Sequence, residues 1–249
     1  MSADVFRQDG YRLRLEWGEQ GVAALASSCA VLVIVDVLSF TTAVDIALGR
    51  GGRVLPVKSG DVRTISSARA AGAVVAGDQK WTLRPSSLLD LPAGTLLALP
   101  SPNGATLCAQ AAAAGATVFA ACLRNAAAVA CEVEKISKRE PIGIVPAGER
   151  WGVTAGPLRP GIEDFLGAGA VAAALLATDS SSASPETRLA ASCFSYELEK
   201  IAKLLRDCTS GRELTAAGHA ADVELAAAVG SSSCAPVLHD GVLTNRLST

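Results

Sequence analysis

The feature that most constrains the fold is a regular alternation of short apolar runs with helical patterns between residues 31 and 177. The first run, VLVIVD, is apolar up to a closing aspartate, and a helical pattern follows at 41–49. A strand that is apolar on both faces needs cover on both faces, and a helix between successive strands returns the chain for parallel pairing. The alternation therefore predicts an α/β fold, a three-layer α/β/α sandwich with a largely parallel or mixed central sheet.

The individual elements follow from hydrophobic periodicity and from the positions of glycine and proline. Strands are predicted at residues 11–17, 31–36, 53–57, 73–76, 95–99, 117–121, 142–146 and 235–238, the first of them half-exposed at an edge. Helices are predicted at residues 20–27, 41–49, 61–71, 105–114, 125–138, 162–177, 185–205 and 218–229, and loops at 79–94 and 147–161. We expect one domain over residues 1–249, with a sheet core at 1–178, a serine linker at 180–184 and a mainly helical C-terminal cap at 185–249.

The composition argues against several classes of protein. The 249 residues are 50% hydrophobic, which gives one large α/β domain an ample core. A formal net charge of −2, with no long block of one sign, predicts neither a nucleic-acid nor a membrane surface. The apolar stretches are too interrupted for a transmembrane helix and the N-terminal residues lack a signal pattern, so we expect a cytoplasmic protein.

The cysteines and histidines predict no metal centre of their own. There are seven cysteines, an odd number without a C-x-x-C pair, and we expect buried reduced thiols rather than disulfides. The two histidines, His219 and His239, are too few for a histidine-rich zinc site, and neither stands in a pattern that would activate a nucleophilic cysteine.

Polar side chains that could bind a ligand or take part in catalysis are concentrated where a predicted strand ends and a helix begins. Asp36 closes the first buried strand, and the hydroxyls of Ser39, Thr41 and Thr42 follow it. Burying a bare carboxylate is costly, so Asp36 needs a partner or a cation, and a helix start presents free N–H groups there. This turn is therefore a predicted site for a divalent cation and an oxyanion. The alternative that Ser39 or Thr41 simply caps the helix stays open.

Other strand-to-helix junctions carry similar groups. They are Gly77-Asp78, Asn103-Gly104, Arg124-Asn125 and the segment from Gly148 to Glu163-Asp164. Because the carboxyl ends of parallel strands share one edge of a sheet, we expect these groups to converge. Each junction has a structural alternative, since Asn-Gly is ordinary turn chemistry and acids in a first helical turn complement the helix dipole.

The order and spacing of these junctions resemble one known family. The segments DVLSFTTA, SPNGAT, CLRNAAAVA, VPAG and GIEDFLGAGA, with the tail SGRELTAAGHAADVELAAAVGSSSCAPVL, are similar to those of the 2-phosphosulfolactate phosphatases, the ComB family. The resemblance runs from about residue 30 to about residue 240. It implies a three-layer α/β/α fold and a Mg²⁺-dependent phosphatase that hydrolyses 2-phospho-3-sulfolactate to sulfolactate and phosphate, in a route to coenzyme M.

The family motifs map onto individual residues of this chain. The matching positions are Asp36, Thr41, Thr42, Asn103, Gly104, Asn125, Gly148, Glu163 and Asp164. We predict that Asp36 and one or both of Glu163 and Asp164 hold Mg²⁺, directly or through water, because this ion prefers few carboxylates, water and phosphate oxygens. The predicted phosphate-binding residues are Ser39, Thr41, Thr42, Asn103, Gly104, Asn125 and Gly148, and the predicted catalytic residues are Asp36, Asn103 and Asp164, with Asp164 or Asp78 orienting the attacking water.

The chain also departs from the family pattern at positions suited to anion binding. Ser39 stands where many members have a basic residue, Asp78 replaces a glutamate, and the loop that follows reads WTLRPSSL. Candidate anion partners are Arg84, Arg124, Arg150 and Arg159. Two alternatives stay open, a phosphatase for another small phosphorylated hydroxy acid and a non-catalytic binding protein for a small anionic metabolite. Alanine-rich helices also suggest a possible homodimer.

Overall fold

A nine-stranded sheet forms the centre of the computed structural model, which describes residues 3–152, 156–178 and 182–246. The described strands are β1 (Leu13–Leu15), β2 (Val31–Val35), β3 (Arg53–Lys58), β4 (Val74–Val75), β5 (Leu96–Ser101), β6 (Thr117–Ala121), β7 (Ile142–Pro146), β8 (Glu149–Arg150), β9 (Leu158–Arg159), β10 (Pro236–His239) and β11 (Val242–Asn245). The sheet has the order β1-β7-β2-β6-β10-β11-β3-β5-β4, and β8 pairs with β9 in a separate hairpin.

The sheet contains two parallel blocks that run in opposite directions. The first block is β1-β7-β2-β6 and the second is β3-β5-β4. Antiparallel pairing of β6 with β10, β10 with β11 and β11 with β3 reverses the strand direction between them. The prediction of a largely parallel or mixed sheet is confirmed. The expectation that all strand ends share one edge is wrong, because the second block is reversed.

A C-terminal hairpin causes this reversal. Asp240 and Gly241 join β10 to β11, and both have positive φ, 48° and 79°. Asp-Gly in this conformation is typical of a two-residue hairpin turn. The sequence predicted a single late strand at 235–238, whereas the structure has two strands that lie in the middle of the sheet rather than on top of it.

Helices cover both faces of the sheet. They are α1 (Gly18–Leu25), α2 (Phe40–Gly49), α3 (Val62–Ala70), α4 (Gly104–Ala113), α5 (Ala126–Ser137), α6 (Ile162–Thr178), α7 (Pro185–Glu197), α8 (Ile201–Asp207), α9 (Thr209–Ala216) and α10 (Ala220–Ala226), with short 3₁₀ turns at Ala3–Arg7, Pro85–Leu88 and Leu198–Lys200.

Alternation along β2 shows how the layers are built. Val31, Val33 and Val35 belong to a core that includes residues of α5, α6 and the C-terminal helices. Leu32 and Ile34 belong to the other core, with residues of α1, α2 and α4. Because successive side chains point to opposite faces, one fully buried strand supplies both cores. The predicted three-layer α/β/α arrangement is confirmed.

Several predicted elements differ from those observed. The loop at 147–161 contains the β8–β9 hairpin, the helical run at 185–205 is interrupted by a 3₁₀ turn, and α9 was not predicted. The strand β1 lies at the edge as expected, but it is buried rather than half-exposed. Its charged residue, Arg14, is accommodated by hydrogen bonds to the carbonyl oxygens of Arg7 and Tyr11. Residues 180 and 181 of the predicted serine linker lie outside the described residues.

All seven cysteines are free thiols, as expected. Four of them are buried, whereas Cys131 is exposed and Cys193 and Cys208 are half-buried, so the expectation of buried thiols is confirmed for four of the seven. Within the described ranges, no helix is both long enough and apolar enough to cross a membrane.

Candidate active site

Asp36 lies at the carboxyl end of β2 with only 6% of its surface exposed. Its Oδ2 accepts a hydrogen bond of 2.7 Å from the Gly104 N–H, and its Oδ1 accepts a longer one of 3.4 Å from the Phe40 N–H. Burial raises the pKa of Asp36 to about 7, and the negative charges of Glu149 and Glu163 add to the rise. This carboxyl group is therefore held by backbone donors in an acidic environment.

Gly104 begins α4, shortly after β5, a strand of the reversed block that lies far from β2 in the sheet. Four strands separate β5 from β2 in the sheet order. The Gly104 N–H at the start of α4 nevertheless donates to the carboxylate at the end of β2. A Cβ at position 104 would lie 2.3 Å from Phe40 Cδ1 and 2.7 Å from Asp36 Oδ2, so glycine is required there. The Asn103-Gly104 turn thus joins the site although its strand belongs to the reversed block.

Asp164 ties the start of α6 to the ends of two neighbouring strands. Its Oδ1 accepts a 2.7 Å hydrogen bond from the Val37 N–H, and its Oδ2 accepts a 2.8 Å bond from the Gly148 N–H. Burial raises the pKa of Asp164 well above its usual value, and the charges of Asp36 and Glu163 raise it further. Asp164 is therefore a cross-link between β2, β7 and α6 as well as a predicted metal ligand.

Glu163 folds back over the residue that precedes α6. A Cβ on Gly161 would lie 2.8 Å from Glu163 Oε1, so glycine leaves room for this carboxylate. Ser210 Oγ in α9 donates a hydrogen bond of 2.5 Å to Glu163 Oε1. Arg159 Nη2 in turn donates to Ser210 Oγ at 3.3 Å. The C-terminal helices thus contribute a contact to the site, although Ser210 was not predicted as a site residue.

Glu149 is a second residue that the sequence analysis missed. It stands in β8 directly after Gly148, is half-buried, and its negative charge raises the pKa of Asp36. Its position immediately after a strand-end glycine is the signal that could have found it. Asp36, Glu149, Glu163 and Asp164 are called the acidic cluster below.

The two predicted threonines hold the turn after β2. Thr41 Oγ1 donates to the Asp36 carbonyl oxygen at 2.7 Å, and Thr42 Oγ1 donates to the Val37 carbonyl oxygen at 2.8 Å. Both residues are fully buried. The turn also contains a cis peptide bond between Leu38 and Ser39. The hydroxyl protons of the threonines are therefore directed at backbone oxygens, and phosphate binding by these residues stays a prediction.

Ser39 and Asn103 differ from the threonines. Each is the N-cap residue of a helix, α2 and α4 respectively, and neither side chain makes a capping hydrogen bond. The alternative that Ser39 simply caps its helix is therefore wrong. Asn125 is fully buried, and its Oδ1 accepts a 2.8 Å bond from the Cys122 N–H. In the described chain its Nδ2 has no hydrogen-bond partner, which leaves a buried donor at the end of β6.

The structure separates the four candidate arginines. Arg84 contacts His219, and Arg124 donates to Asp45. Arg150 pairs with Glu19, whereas Arg159 reaches the acidic cluster through Ser210. Asp78, a candidate for orienting water, forms an exposed ion pair with Arg69 instead.

The chemistry of the acidic cluster fits a partly hydrated Mg²⁺. Among the described residues, no member of the cluster forms an ion pair with a lysine, arginine or histidine, so its negative charge lacks a paired cation. Within the same ranges, no three Asp, Glu, His or Cys side chains are grouped closely enough to hold a metal. Mg²⁺ commonly uses one or two carboxylates together with water and phosphate oxygens. Ligation by all three of Asp36, Glu163 and Asp164 stays a prediction.

Comparison with protein families identifies a match over nearly the whole chain. Residues 20–241 match the family described as 2-phosphosulpholactate phosphatase. The matched range includes the acidic cluster and Ser210. A search of curated proteins finds no match.

Proposed function

The chain belongs to the 2-phosphosulpholactate phosphatase family, which makes it a phosphoric monoester hydrolase, and we propose that it uses Mg²⁺ to hydrolyse 2-phospho-3-sulfolactate or a related small phosphorylated hydroxy acid. The observation that carries the metal requirement is the acidic cluster. The negative charges of neighbouring members add to the rise in the pKa of Asp36 and of Asp164, and no cationic side chain among the described residues is paired with the cluster. A phosphate ester approaching such a site would be repelled unless a cation were bound there.

Asp36 and Glu163 are the proposed ligands of the ion, directly or through water. Asp36 retains further acceptor capacity beyond its two backbone hydrogen bonds, since a carboxylate offers about four lone-pair positions. When bound, Mg²⁺ supplies positive charge that offsets the charge of the phosphoryl oxygens and of the leaving oxygen. Asp164 keeps the strand ends in place, because its oxygens accept the Val37 and Gly148 N–H groups, and its remaining lone pairs leave it a candidate third ligand.

Neutral donors complete the proposed phosphate site. Ser39 and Asn103 directly precede Phe40 and Gly104, whose N–H groups bind Asp36, and their side chains make no capping bond, so we take them as available to phosphoryl oxygens. The Asn125 Nδ2 is a further buried donor without a partner in the described chain. Donors already fixed by the fold stabilise developing charge without further reorganisation.

The proposed reaction is a displacement at phosphorus by water. The water oxygen forms a bond to phosphorus, the bond between phosphorus and the ester oxygen breaks, and the ester oxygen keeps the electron pair and takes up a proton. Glu149 is the proposed acceptor of the water proton, because it is half-buried and lies near Asp36 without an ion-pair partner among the described residues. The products are inorganic phosphate and the hydroxy acid.

The test is phosphate release from two matched substrates, with and without the metal. 2-Phospho-3-sulfolactate is compared with 2-phospholactate, which lacks only the sulfonate group. We expect release in Mg²⁺, loss of release in excess EDTA, and recovery when Mg²⁺ is restored. A clear preference for the sulfonated substrate would support the named substrate, and equal rates would leave a broader acid phosphoester specificity. Binding of either compound by folded protein without phosphate release would contradict the enzymatic proposal and favour a binding protein.

A further inference from the structure

The turn between α8 and α9 packs next to the acidic cluster, and Ser210, at the start of α9, contacts Glu163. Cys208 is the N-cap of α9, and its Sγ accepts a hydrogen bond of 3.3 Å from the Gly211 N–H. A Cβ at position 211 would lie 1.7 Å from the Leu205 carbonyl oxygen, which excludes a side chain without movement of the turn. Leu205 is itself fully buried in the core beside α6. The backbone around Ser210 is therefore firmly placed.

The direction of the hydrogen bonds at Ser210 follows from the chemistry of its partners. A guanidinium group can only donate, so the Ser210 oxygen accepts from Arg159. The single hydroxyl proton is then available to Glu163 Oε1, which lies 2.5 Å away. Ser210 and Glu163 are only 6% and 3% exposed, so water does not compete strongly for this contact.

Arg159 is held in place by the β8–β9 hairpin. It lies opposite Glu149 in the strand register, and its guanidinium carbon is 6.0 Å from the centre of the Trp151 ring. The hairpin thus places Glu149 and Arg159 as cross-strand neighbours beside the acidic cluster. In the described chain Arg159 has no carboxylate partner within ion-pair distance, so its contact with Ser210 is not a by-product of a salt bridge.

We propose that Ser210, fixed by Arg159, is a positioning residue that orients the Glu163 carboxylate, so that the C-terminal helices complete the active site. This inference rests on the proposed function, in which Glu163 holds Mg²⁺. A glutamate side chain has several rotatable bonds and lies here among like charges, which favour other orientations. Hydrogen bonds to metal-binding side chains fix such orientations, and their loss typically lowers metal affinity or activity about 10–100-fold.

The experiment compares Ser210→Ala with two matched variants of the full chain. Ser210→Thr keeps the hydroxyl. Thr209→Ala removes a neighbouring exposed hydroxyl that makes no hydrogen bond in the described structure. Calorimetric titration with MgCl₂ gives the Kd of the ion, steady-state phosphate release gives kcat and KM, and thermal denaturation reports folding. We expect Ser210→Ala to weaken Mg²⁺ binding and lower kcat about tenfold with little change in KM. Ser210→Thr should restore most of both, and Thr209→Ala should match the wild type.

The outcomes distinguish a failure of the positioning role of Ser210 from a failure of the proposed function. If the wild type binds Mg²⁺ and releases phosphate while Ser210→Ala behaves like Thr209→Ala, the positioning role is overturned and the proposed function stands. If the wild type neither binds the ion nor releases phosphate, the proposed function falls and the inference falls with it. If Ser210→Ala does not fold, Arg159→Gln is titrated instead, and an unchanged Mg²⁺ Kd in that variant overturns the inference.

Discussion

Asp36 and Asp45 belong to the same strand–helix unit, and both are almost completely buried, with exposures of 6% and 1%. Asp45 accepts a 2.7 Å bond from Arg124 Nε and a 2.5 Å bond from Ser232 Oγ. Asp36 instead accepts only backbone N–H groups and faces other carboxylates. A buried carboxylate paired with a cation from its own chain contributes to the fold, whereas one that faces other carboxylates has no such compensation, and this contrast underlies the proposed Mg²⁺ site at Asp36.

Burial raises the pKa of both aspartates, but different groups oppose or reinforce it. At Asp45 the hydrogen bonds from Ser232 and Arg124 lower the pKa again. At Asp36 the Gly104 N–H lowers it, while Glu149 and Glu163 raise it. The two aspartates are both buried, but their neighbours differ: those of Asp45 stabilise its charge, whereas the carboxylates near Asp36 oppose its charge. Matched Asp→Asn substitutions should therefore affect catalysis at Asp36 and stability at Asp45.

The largest effect is expected for Asp36→Asn on catalysis. Asparagine keeps the shape and can still accept from the Gly104 N–H, but it removes the negative charge proposed to hold Mg²⁺. We expect kcat/KM to fall about 10³-fold, equivalent to about 4 kcal/mol of transition-state stabilisation, with no loss of folding stability. Phosphate release at saturating Mg²⁺ and urea denaturation measure the two quantities. Activity above a tenth of the wild-type value would show that Asp36 does not have this role.

The second-largest effect is expected for Asp45→Asn, which should lower stability and leave catalysis largely unchanged. Removing this charge leaves the Arg124 guanidinium, only 14% exposed, without its partner. Breaking a buried ion pair on one side costs about 3 kcal/mol of unfolding free energy, and we expect that loss here. The kcat/KM of the folded variant should stay within a few-fold of the wild type. If Asp45→Asn instead loses activity as strongly as Asp36→Asn with normal stability, the contrast between the two aspartates is wrong.

Local patterns were sufficient to predict the elements that carry Asp36, Glu163 and Asp164. The apolar run of β2 and the carboxylate that closes it place Asp36 at a strand end, and the acidic pair at the start of α6 follows from its helical pattern. Both are short-range signals, in which burial on two faces or a helical period fixes the position of a residue. The matched family range includes these residues.

Long-range arrangement was not predictable in the same way. The Asp240-Gly241 turn was a recognisable hairpin signal, but nothing local indicates that the hairpin enters the middle of the sheet and reverses the second block. Ser210 meets Glu163 across 47 residues, and no periodicity connects the two. The orientation of the Thr41 hydroxyl toward a backbone oxygen depends on turn geometry that the sequence does not specify.

The third effect is the pH dependence of stability without metal. The pKa of Asp36 is raised from 3.8 to about 7 in the folded protein, so the folded state binds the proton more tightly than the unfolded chain. The resulting stabilisation is complete below pH 3.8 and is lost as the pH rises through about 7. One proton gives a slope of at most about 1.4 kcal/mol per pH unit. Urea denaturation in EDTA between these limits should show a falling unfolding free energy, with a shallower fall in Asp36→Asn.

The control for this measurement is Thr209→Ala, which removes no titratable group and keeps the acidic cluster intact, because Asp45 itself has a raised pKa. Asp164 also retains a raised pKa in every variant, so part of the slope should remain in Asp36→Asn. An identical slope in the wild type and in Asp36→Asn would show that Asp36 is ionised in the folded protein at the lower pH. That result would contradict the raised pKa of Asp36, and with it one reason for proposing that the acidic cluster binds a cation.

The smallest effect is expected at Arg150, which shares the β8–β9 hairpin with Arg159 but faces the other way. Side chains alternate along a strand, so Glu149 and its cross-strand neighbour Arg159 lie on one side of the hairpin and Arg150 lies on the other. Arg150 pairs with Glu19, and their side chains are 33% and 46% exposed. Such exposed pairs contribute about 0.5 kcal/mol or less, so Arg150→Gln should change neither unfolding free energy nor kcat/KM appreciably. Arg159→Gln, measured alongside by the same denaturation and phosphate assays, should weaken catalysis. The reverse ranking would mean that the hairpin presents its other face to the substrate, and Arg150 would then be the arginine that serves the acidic cluster.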